Sequence, residues 1–388
     1  MKVAFVISSL GGGGAERVLS ALANAWASDH AVITVITLGN RERDVYALHP
    51  DIARVDLDLV RPSSGALGAV LRNVERIRKL RAAVKACRPD VVISFMTTTN
   101  LLTLLATRGL GLPVIVSERT FLKRQPPRGM WRLLFRPLYR RASAVVSQTR
   151  RGAEDLQAQL DRSVAVIHNP VAPIGGDDDS SRNIADSVQL PRERGEQWLL
   201  AVGRLSIEKG YDLLIDAFSQ LASSHPLWNL IILGEGPERS SLSAQISKLG
   251  LQQRVLMPGF VENPYRLMKQ ADMYVLSSRY EGMPNALLEA MATGLPSVSF
   301  DCETGPAELI QDGVNGRLVE SGSVSALAAS LGELMVSPEL RGLLAHRASR
   351  IREEHAIDLI LQSWKSLALK ALARHGAYGS EPSGVGEH

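Results

Sequence analysis

Two stretches of the chain carry cations and carboxylates in settings where a phosphate or a sugar could be held. The first, GRLSIEKG at residues 203–210, sets Arg204 and Lys209 between Gly203 and Gly210, directly after an apolar run. In an open α/β sheet such a strand-to-helix loop lies at the carboxyl edge where ligands bind, so both cations could grip one diphosphate. Standing alone they read equally well as two solvated charges. The second stretch, SSRYEGMPNALLEAMATGLPSVS at 277–299, ends a strand at Leu276 and turns through Glu281-Gly282-Met283. It then enters strong helix sequence after Pro284, a residue suited to a first helical turn. A helix N-terminus results with Glu281 just ahead of it. Glu289 falls in an apolar LLEAMA run, where a carboxylate is costly to bury without a polar partner. Sugar hydroxyls would supply that partner; a helix cap at Glu281 and an internal salt bridge at Glu289 would account for the same residues.

Two weaker signals accompany them. Gly11-Gly12-Gly13-Gly14-Ala15-Glu16 follows the first strand and opens a helix, where backbone N–H groups favour anions, although a plain turn explains it too. It lacks the GxGxxG pattern with a following acidic residue, so a nicotinamide-type dinucleotide is not indicated. Asp301-Cys302-Glu303-Thr304-Gly305-Pro306-Ala307-Glu308 is another loop entering a helix, able to present amides or hydroxyls or simply to cap.

The elements that must position these residues follow from periodicity. Short apolar runs near Val3–Ile7, Val32–Thr37, Ala53–Leu57, Val91–Ser94, Val114–Ser117, Ala144–Ser147 and Val164–Ile167 alternate with helical patterns, a βαβ succession. Leu67, Val70, Leu71, Val74, Ile77, Leu80 and Val84 recur at helical spacing as one amphipathic crossover. A Gly/Pro/Asp/Ser-rich segment after His168-Asn169-Pro170 reads as a linker. A second succession begins at Trp198–Val202 and continues through Leu230–Leu233, Val255–Met257, Met273–Leu276, Ser297–Phe300 and Gly316–Val319, with helical patterning from about Val324 to Ala373.

The chain has 388 residues, 45% apolar and 22% charged, which excludes disorder and fibrous classes and at roughly 150 residues per domain suggests two domains. Cys87 and Cys302 are far apart, with no metal or redox spacing around them, which fits a reducing cytosol. The N-terminal apolar stretch is too short for a signal peptide, and the uncharged run Val91–Thr107 is explained by a strand and helix, so no transmembrane segment is predicted.

Net charge is +4, yet residues 1–190 hold 26 Lys/Arg against 17 Asp/Glu. Between Arg119 and Arg151 there are ten Lys/Arg and no acid, a patch that attracts phosphates or an anionic membrane surface. At about 100° per residue, Arg128, Arg132, Arg136 and Arg140 share one face of a helix and Trp131, Leu134, Phe135 and Leu138 the other. This is an interfacial pattern, and equally that of a surface helix packed on its own domain. Aromatic interleaving for base stacking is missing, which argues against nucleic acid.

Together, GRLSIEKG and EGMPNALLEAMATGLP strongly resemble the retaining glycosyltransferases of family 4, and the resemblance runs over nearly the whole chain from GGGGAERV onward. SERT at 117–120 and FDCETGPAELI at 300–310 look like the bacterial branch that extends polyprenyl-diphosphate-linked oligosaccharides for glycan or exopolysaccharide assembly. The resemblance implies an α/β GT-B fold, two Rossmann-like domains with parallel sheets facing an interdomain cleft. Expected divisions are an acceptor-binding domain at 1–171, a linker at 172–196 and a nucleotide-sugar-binding domain at 197–345. Helices at 346–374 are expected to cross back to the first domain, with a disordered tail at 375–388.

It further implies that Arg204 and Lys209 hold the donor diphosphate, Glu281 contacts the transferred sugar, and these three carry catalysis. Glu289 would take the ribose hydroxyls, with Gly203, Gly282, Met283 and Asn285 near the donor. Where many relatives carry a His after the fifth N-terminal strand, this chain has Ser117-Glu118-Arg119. Glu118 and Arg119, with Gly12, Gly13 and Gly14, are thus a candidate acceptor or phosphate loop, while His168 reads as a structural or hinge residue. Expected partners are a nucleotide-sugar donor, UDP-linked, and a lipid-linked saccharide acceptor. An anionic membrane surface would be met through Arg128, Arg132, Arg136, Arg140 and Trp131. No metal or other cofactor is expected, because the two cations and a helix N-terminus can stabilise the leaving diphosphate. The expected place is the cytoplasm, peripheral at the inner membrane face. A nucleotide-sugar epimerase of the same fold, or a non-enzymatic sugar-nucleotide-binding partner, are the competing readings.

Overall fold

The computed structural model describes residues 1–59, 65–171, 192–261 and 263–379. They form two compact units, Met1–Pro170 together with the segment from Ile357, and Val171–Ala356.

The first unit is built on strands β1 (Lys2–Ile7), β2 (Val32–Thr37), β3 (Ala53–Asp56), β4 (Val91–Phe95), β5 (Val114–Glu118), β6 (Ala144–Ser147) and β7 (Ala165–Val166). They lie in the order β3-β2-β1-β4-β5-β6-β7, every pair parallel, with Val3 opposite Ile33 on one side and Val91 on the other. Side chains alternate across the sheet: Val3, Phe5 and Ile7 enter one core, Ala4 and Val6 the other. Because helices cover both faces, no strand needs a polar side, which is why the strands read as unbroken apolar runs.

One face is covered by helices Gly14–Ser28 and Ile357–Gly379. The latter brings Trp364, 1% exposed, to stack on Phe95 of β4 with ring centroids 5.7 Å apart, and Lys365 pairs with Asp29. The opposite face is covered by helices Gly65–Cys87, Thr97–Ala106, Met130–Tyr139 and Arg150–Leu160. The apolar stripe expected along the first of these is only half used. Ile77, Leu80 and Val84 pack on the core, whereas Val70, Leu71 and Val74 are exposed. A 23-residue helix is about 34 Å long against about 20 Å for a six-residue strand, so its first turns overrun the sheet.

The second unit holds β8 (Gln197–Val202), β9 (Trp228–Leu233), β10 (Val255–Gly259), β11 (Met273–Leu276), β12 (Ser297–Asp301) and β13 (Arg317–Glu320), all parallel in the order β10-β9-β8-β11-β12-β13. In each sheet the order reverses once, at β1/β4 and at β8/β11. A crevice outside the carboxyl ends of the strands belongs at such a point.

The boundaries differ from those drawn on the sequence. Helices Pro338–Ala348 and Ile351–Glu354 stay with the second unit, where Ala348 and Ile351 are buried, and the chain joins the first unit only from Ile357. Arg192, assigned to the linker, pairs with Asp272 at 2.7 Å and stacks on Trp198, so the second unit begins before its first strand. Residues 172–191 of the expected linker and 380–388 of the expected tail lie outside the described residues, and the final helix runs on to Gly379.

Truncating Trp364→Ala removes a fully buried ring from this core and is expected to cost about 3–5 kcal/mol, the usual range for such a cavity. Urea unfolding read on the first unit checks it; a loss under about 1 kcal/mol would mean the helix is not an integral part of that unit.

Candidate active site

The site in the second unit is assembled from the loops leaving β8, β11 and β12. After β8 the chain passes Gly203 and Arg204, makes a 3-10 turn at Ile207–Lys209 and reverses at Gly210, whose φ is 62°. A Cβ at Gly210 would stand 2.1 Å from the Ser277 carbonyl oxygen, so only glycine lets the two loops touch there. Ser277 Oγ donates to the Lys209 carbonyl at 2.9 Å, and the Arg279 N–H to the Glu208 carbonyl at 2.8 Å. The Arg279 guanidinium closes a bidentate pair with Asp212 at 2.8 and 2.6 Å, and its hydrogen bonds hold the Asp212 carboxyl below the usual carboxylate range.

This interlock delivers Lys209 Nζ to Glu281 Oε1 at 2.6 Å, although the two are 72 residues apart. Ser278 Oγ donates to the same oxygen at 2.6 Å, and Thr304 Oγ1, from the loop after β12, donates to the Glu281 carbonyl. The loop is tight from both sides: Gly305, at φ 97°, leaves 2.6 Å between a hypothetical Cβ and Pro284 Cδ. Burial raises the Cys302 thiol to about 12, with the Glu281 charge adding to it, and pushes the Tyr211 hydroxyl upward for the same two reasons.

Of the other residues marked by sequence, Arg204 is exposed; its carbonyl accepts from the Ser206 N–H at 2.9 Å, and its guanidinium makes no ion pair or hydrogen bond among the described residues. Glu289 is buried at 6% exposure on helix Asn285–Ala292. Met283 turns its side chain into the core, so only its main chain can meet a ligand. Gly203 sits against Tyr211 Oη and the Lys209 stem, where a Cβ would be 2.8 and 3.3 Å away. Ser277, Ser278 and Thr304 lay inside the marked motifs, but their roles follow only from contacts made across strands.

The first unit places its marked residues differently. The Gly13 position has its own Glu16 folded back on it, Oε2 standing 2.1 Å from where a Cβ would be, so a carboxylate of the chain already lies at that helix N-terminus. Gly12, at φ 87°, makes the turn before it, and Gly14 opens the helix. Glu118, 2% exposed, accepts from Thr97 Oγ1 and Tyr139 Oη at 2.7 Å, Thr120 Oγ1 at 3.0 Å and the Arg119 N–H at 3.2 Å. Burial raises its carboxyl while these donors pull it down. Arg119 lies over the Phe95 ring at 4.5 Å and donates to Asn169 at 2.8 Å; burial lowers it to about 9. His168 Nδ1 meets the Gln148 carbonyl at 3.0 Å. Thr97, Thr120 and Tyr139 escaped the sequence reading because nothing local marks a hydroxyl as the partner of a distant carboxylate.

On helix Met130–Tyr139, Phe135 and Leu138 are buried in the first unit and Trp131 and Leu134 pack against its core. The apolar stripe, Trp131 included, is thus already engaged with its own unit, while Arg128, Arg132, Arg136 and Arg140 are exposed. Among the described residues no helix is long and apolar enough to cross a membrane.

Residues 183–353 match the glycosyl transferases group 1 family and residues 13–170 the glycosyl transferase 4-like domain. Both halves of the chain are glycosyltransferase domains. Over 95% of its length this glycosyltransferase is 28% identical to 98% of GalNAc-alpha-(1->4)-GalNAc-alpha-(1->3)-diNAcBac-PP-undecaprenol alpha-1,4-N-acetyl-D-galactosaminyltransferase of Campylobacter jejuni. Over 89% it is 25% identical to 93% of N-acetylgalactosamine-N,N'-diacetylbacillosaminyl-diphospho-undecaprenol 4-alpha-N-acetylgalactosaminyltransferase of the same organism. Among solved structures, the lipopolysaccharide outer core galactosyltransferase WaaB in its apo form aligns with TM-score 0.69 at 22% identity, covering 95% of this chain and 99% of that one. Anabaena HepE in complex with UDP and glucose aligns with TM-score 0.72 at 22% identity, covering 94% and 98%. The fold is GT-B, as the sequence led one to expect.

Gly210→Ala tests the loop interlock. A left-handed backbone costs an L-residue about 1–2 kcal/mol even without the clash at Ser277. The urea midpoint of the second unit is therefore expected to fall accordingly; an unchanged midpoint would mean the loops are not held together there.

Proposed function

We propose that the chain is a retaining hexosyl- or N-acetylhexosaminyltransferase that moves its sugar from a nucleotide diphosphate, UDP in preference to GDP, onto a polyprenyl-diphosphate-linked saccharide. The observation that carries this reading is the Lys209–Glu281 contact at the β8/β11 switch point. An ammonium has three donors; one meets Glu281, and two remain for phosphate oxygens. Exposed Arg204 on the same loop adds a planar fork able to take a phosphate bidentately. As the bond to the transferred sugar breaks, negative charge grows on the departing diphosphate, and these two cations with the N-terminus of helix Asn285–Ala292 stabilise it. They supply the charge that a divalent ion would otherwise bring, so turnover is expected to persist in EDTA. Glu281, fixed by Lys209 and Ser278, faces the sugar, and Glu289 takes the ribose hydroxyls. The lipid-linked acceptor is supported by the Campylobacter relatives, whose names place their substrates on diphospho-undecaprenol, and the UDP donor by the HepE complex.

The deciding experiment is nucleotide release from a panel of UDP- and GDP-sugars, with and without a detergent extract of polyprenyl-diphosphate glycans. Acceptor-dependent UDP release with the donor's anomeric configuration kept in the product is expected; interconversion of donors without release would make the chain an epimerase. Glu281→Ala and Lys209→Ala are each expected to lower kcat by about 10²–10³, the range for losing one group that meets transition-state charge. Activity near wild type, with circular dichroism unchanged, would remove them from the mechanism.

The exposed arginines Arg128, Arg132, Arg136 and Arg140, beside Met130 and Leu133 at 48% and 78% exposure, suit an anionic membrane surface, the cytoplasmic leaflet where such an acceptor is held. Combined replacement of Arg128, Arg132 and Arg136 by Glu should abolish sedimentation with liposomes containing anionic phospholipid. Binding that survives would show that another surface, or none, meets the membrane.

A further inference from the structure

The first unit has a small cavity of about 170 Å³ at the amino ends of β5 and β6, the edge of the sheet opposite the carboxyl ends. Three segments distant in sequence form it: the loop after helix Thr97–Ala106, the turn into β6 that carries Arg141 and Ser143, and the final helix, which brings His375. Such a place should repel an anion, because helices Thr97–Ala106 and Met130–Tyr139 both end beside it and helix C-termini carry partial negative charge. Arginines cancel that charge. Arg81 donates to the Ala106 and Arg108 carbonyls at 2.8 and 2.7 Å, and Arg162 to those of Tyr139 and Ala142, both at 2.9 Å.

With those carbonyls capped, most of what remains around the cavity donates. The Arg141 guanidinium is exposed and makes no ion pair or hydrogen bond among the described residues. Ser143 Oγ accepts from the Val114 N–H at 3.2 Å, which leaves its own proton to give. The main-chain N–H groups of Gly109, Gly111 and Leu112 have no acceptor among the described residues, and His375 has a ring N–H whether neutral or charged. No Asp or Glu among the described residues lines the cavity, and burial and the nearby Arg374 charge hold Arg162 below the usual guanidinium range. Thr107 is the exception: its Oγ1 proton goes to the Thr103 carbonyl at 2.7 Å, so towards a ligand it can only accept. Donors from three segments and one acceptor suit a phosphate that keeps a P–OH. A sulfate has no proton for Thr107, and a carboxylate has only two oxygens to share among the donors.

We propose that this cavity is a phosphate-binding site, one that does not depend on the transferase reading. Arg141 and the amides of the loop take phosphate oxygens, Ser143 and His375 add a donor each, and Thr107 accepts from the P–OH. Because the ligand meets the loop, the turn into β6 and the final helix together, it fastens helix Ile357–Gly379 to the sheet and stabilises the folded unit.

The full chain, carrying histidine labelled with carbon-13 at Cε1 and with the His375 signal assigned through His375→Gln, is titrated with inorganic phosphate at constant pH and ionic strength. Sulfate and glycerol 3-phosphate are titrated separately. Phosphate should shift the His375 resonance saturably, with an affinity about tenfold above that of sulfate, the scale of one hydrogen bond to a charged group. Arg141→Gln and Ser143→Ala should each weaken phosphate about tenfold, whereas Arg132→Gln, which removes an equal charge from another face of the unit, should leave it unchanged. Thr107→Val, isosteric but unable to accept, should abolish the preference over sulfate. The urea midpoint of the first unit should rise with phosphate in the wild type and stay put in Arg141→Gln. Glycerol 3-phosphate separates the sources: a response as strong as that to phosphate makes the natural ligand an esterified phosphate such as a lipid headgroup, and a weaker one makes it the free ion. No saturable shift with either phosphate would overturn the proposal. So would sulfate binding as tightly as phosphate, or a shift that Arg141→Gln leaves intact.

Discussion

The contact between Lys209 and Glu281 is the constraint on which the second unit's site depends. A partly buried ammonium and carboxylate 2.6 Å apart hold each other in place, and removing one would leave the other uncompensated. Nothing local brings them together. It takes β8 and β11 as parallel neighbours, a glycine at 210 small enough to let one loop touch the next, and the Arg279–Asp212 bridge to hold the loops. The Thr304 hydroxyl then ties in the third loop through the Glu281 main chain. Sheet topology, backbone sterics and two ion pairs thus converge on the position of one carboxylate.

The two sheets solve related problems with different neighbours. Glu281 follows β11 and faces a lysine; Glu118 ends β5 and is surrounded by hydroxyls and a main-chain N–H. A carboxylate beside a cation and partly open to solvent can meet substrate directly. A carboxylate sealed under hydroxyls is screened by them from direct contact. Environment, rather than residue type, sets the two carboxylates apart.

A similar division runs along helix Met130–Tyr139. Its apolar face completes the core of the first unit and its arginines remain outside, so one periodicity meets a packing requirement and leaves a cationic surface. Where the same kind of stripe extends beyond the sheet, as at Val70, Leu71 and Val74, it stays exposed among the described residues.

The residues alone determined the thirteen strands of the described residues to within a few positions, the parallel α/β class, the loops carrying Arg204, Lys209 and Glu281, and the helix carrying Glu289. Doubly covered parallel strands must be continuously apolar, and loops at strand ends must carry glycine, proline and charge, so both leave local marks. Tertiary structure decided the rest. It showed that Lys209 meets Glu281, that Met283 turns inward, that Glu118 is enclosed by Thr97, Thr120 and Tyr139, and that Trp131 packs on its own unit. The segment from Ile357 proved to be part of the first unit's core. These are contacts between elements distant in sequence, and hydrogen-bond direction and burial are properties of the packed neighbours. A residue's own type and spacing carry no record of which neighbour the fold will bring to it.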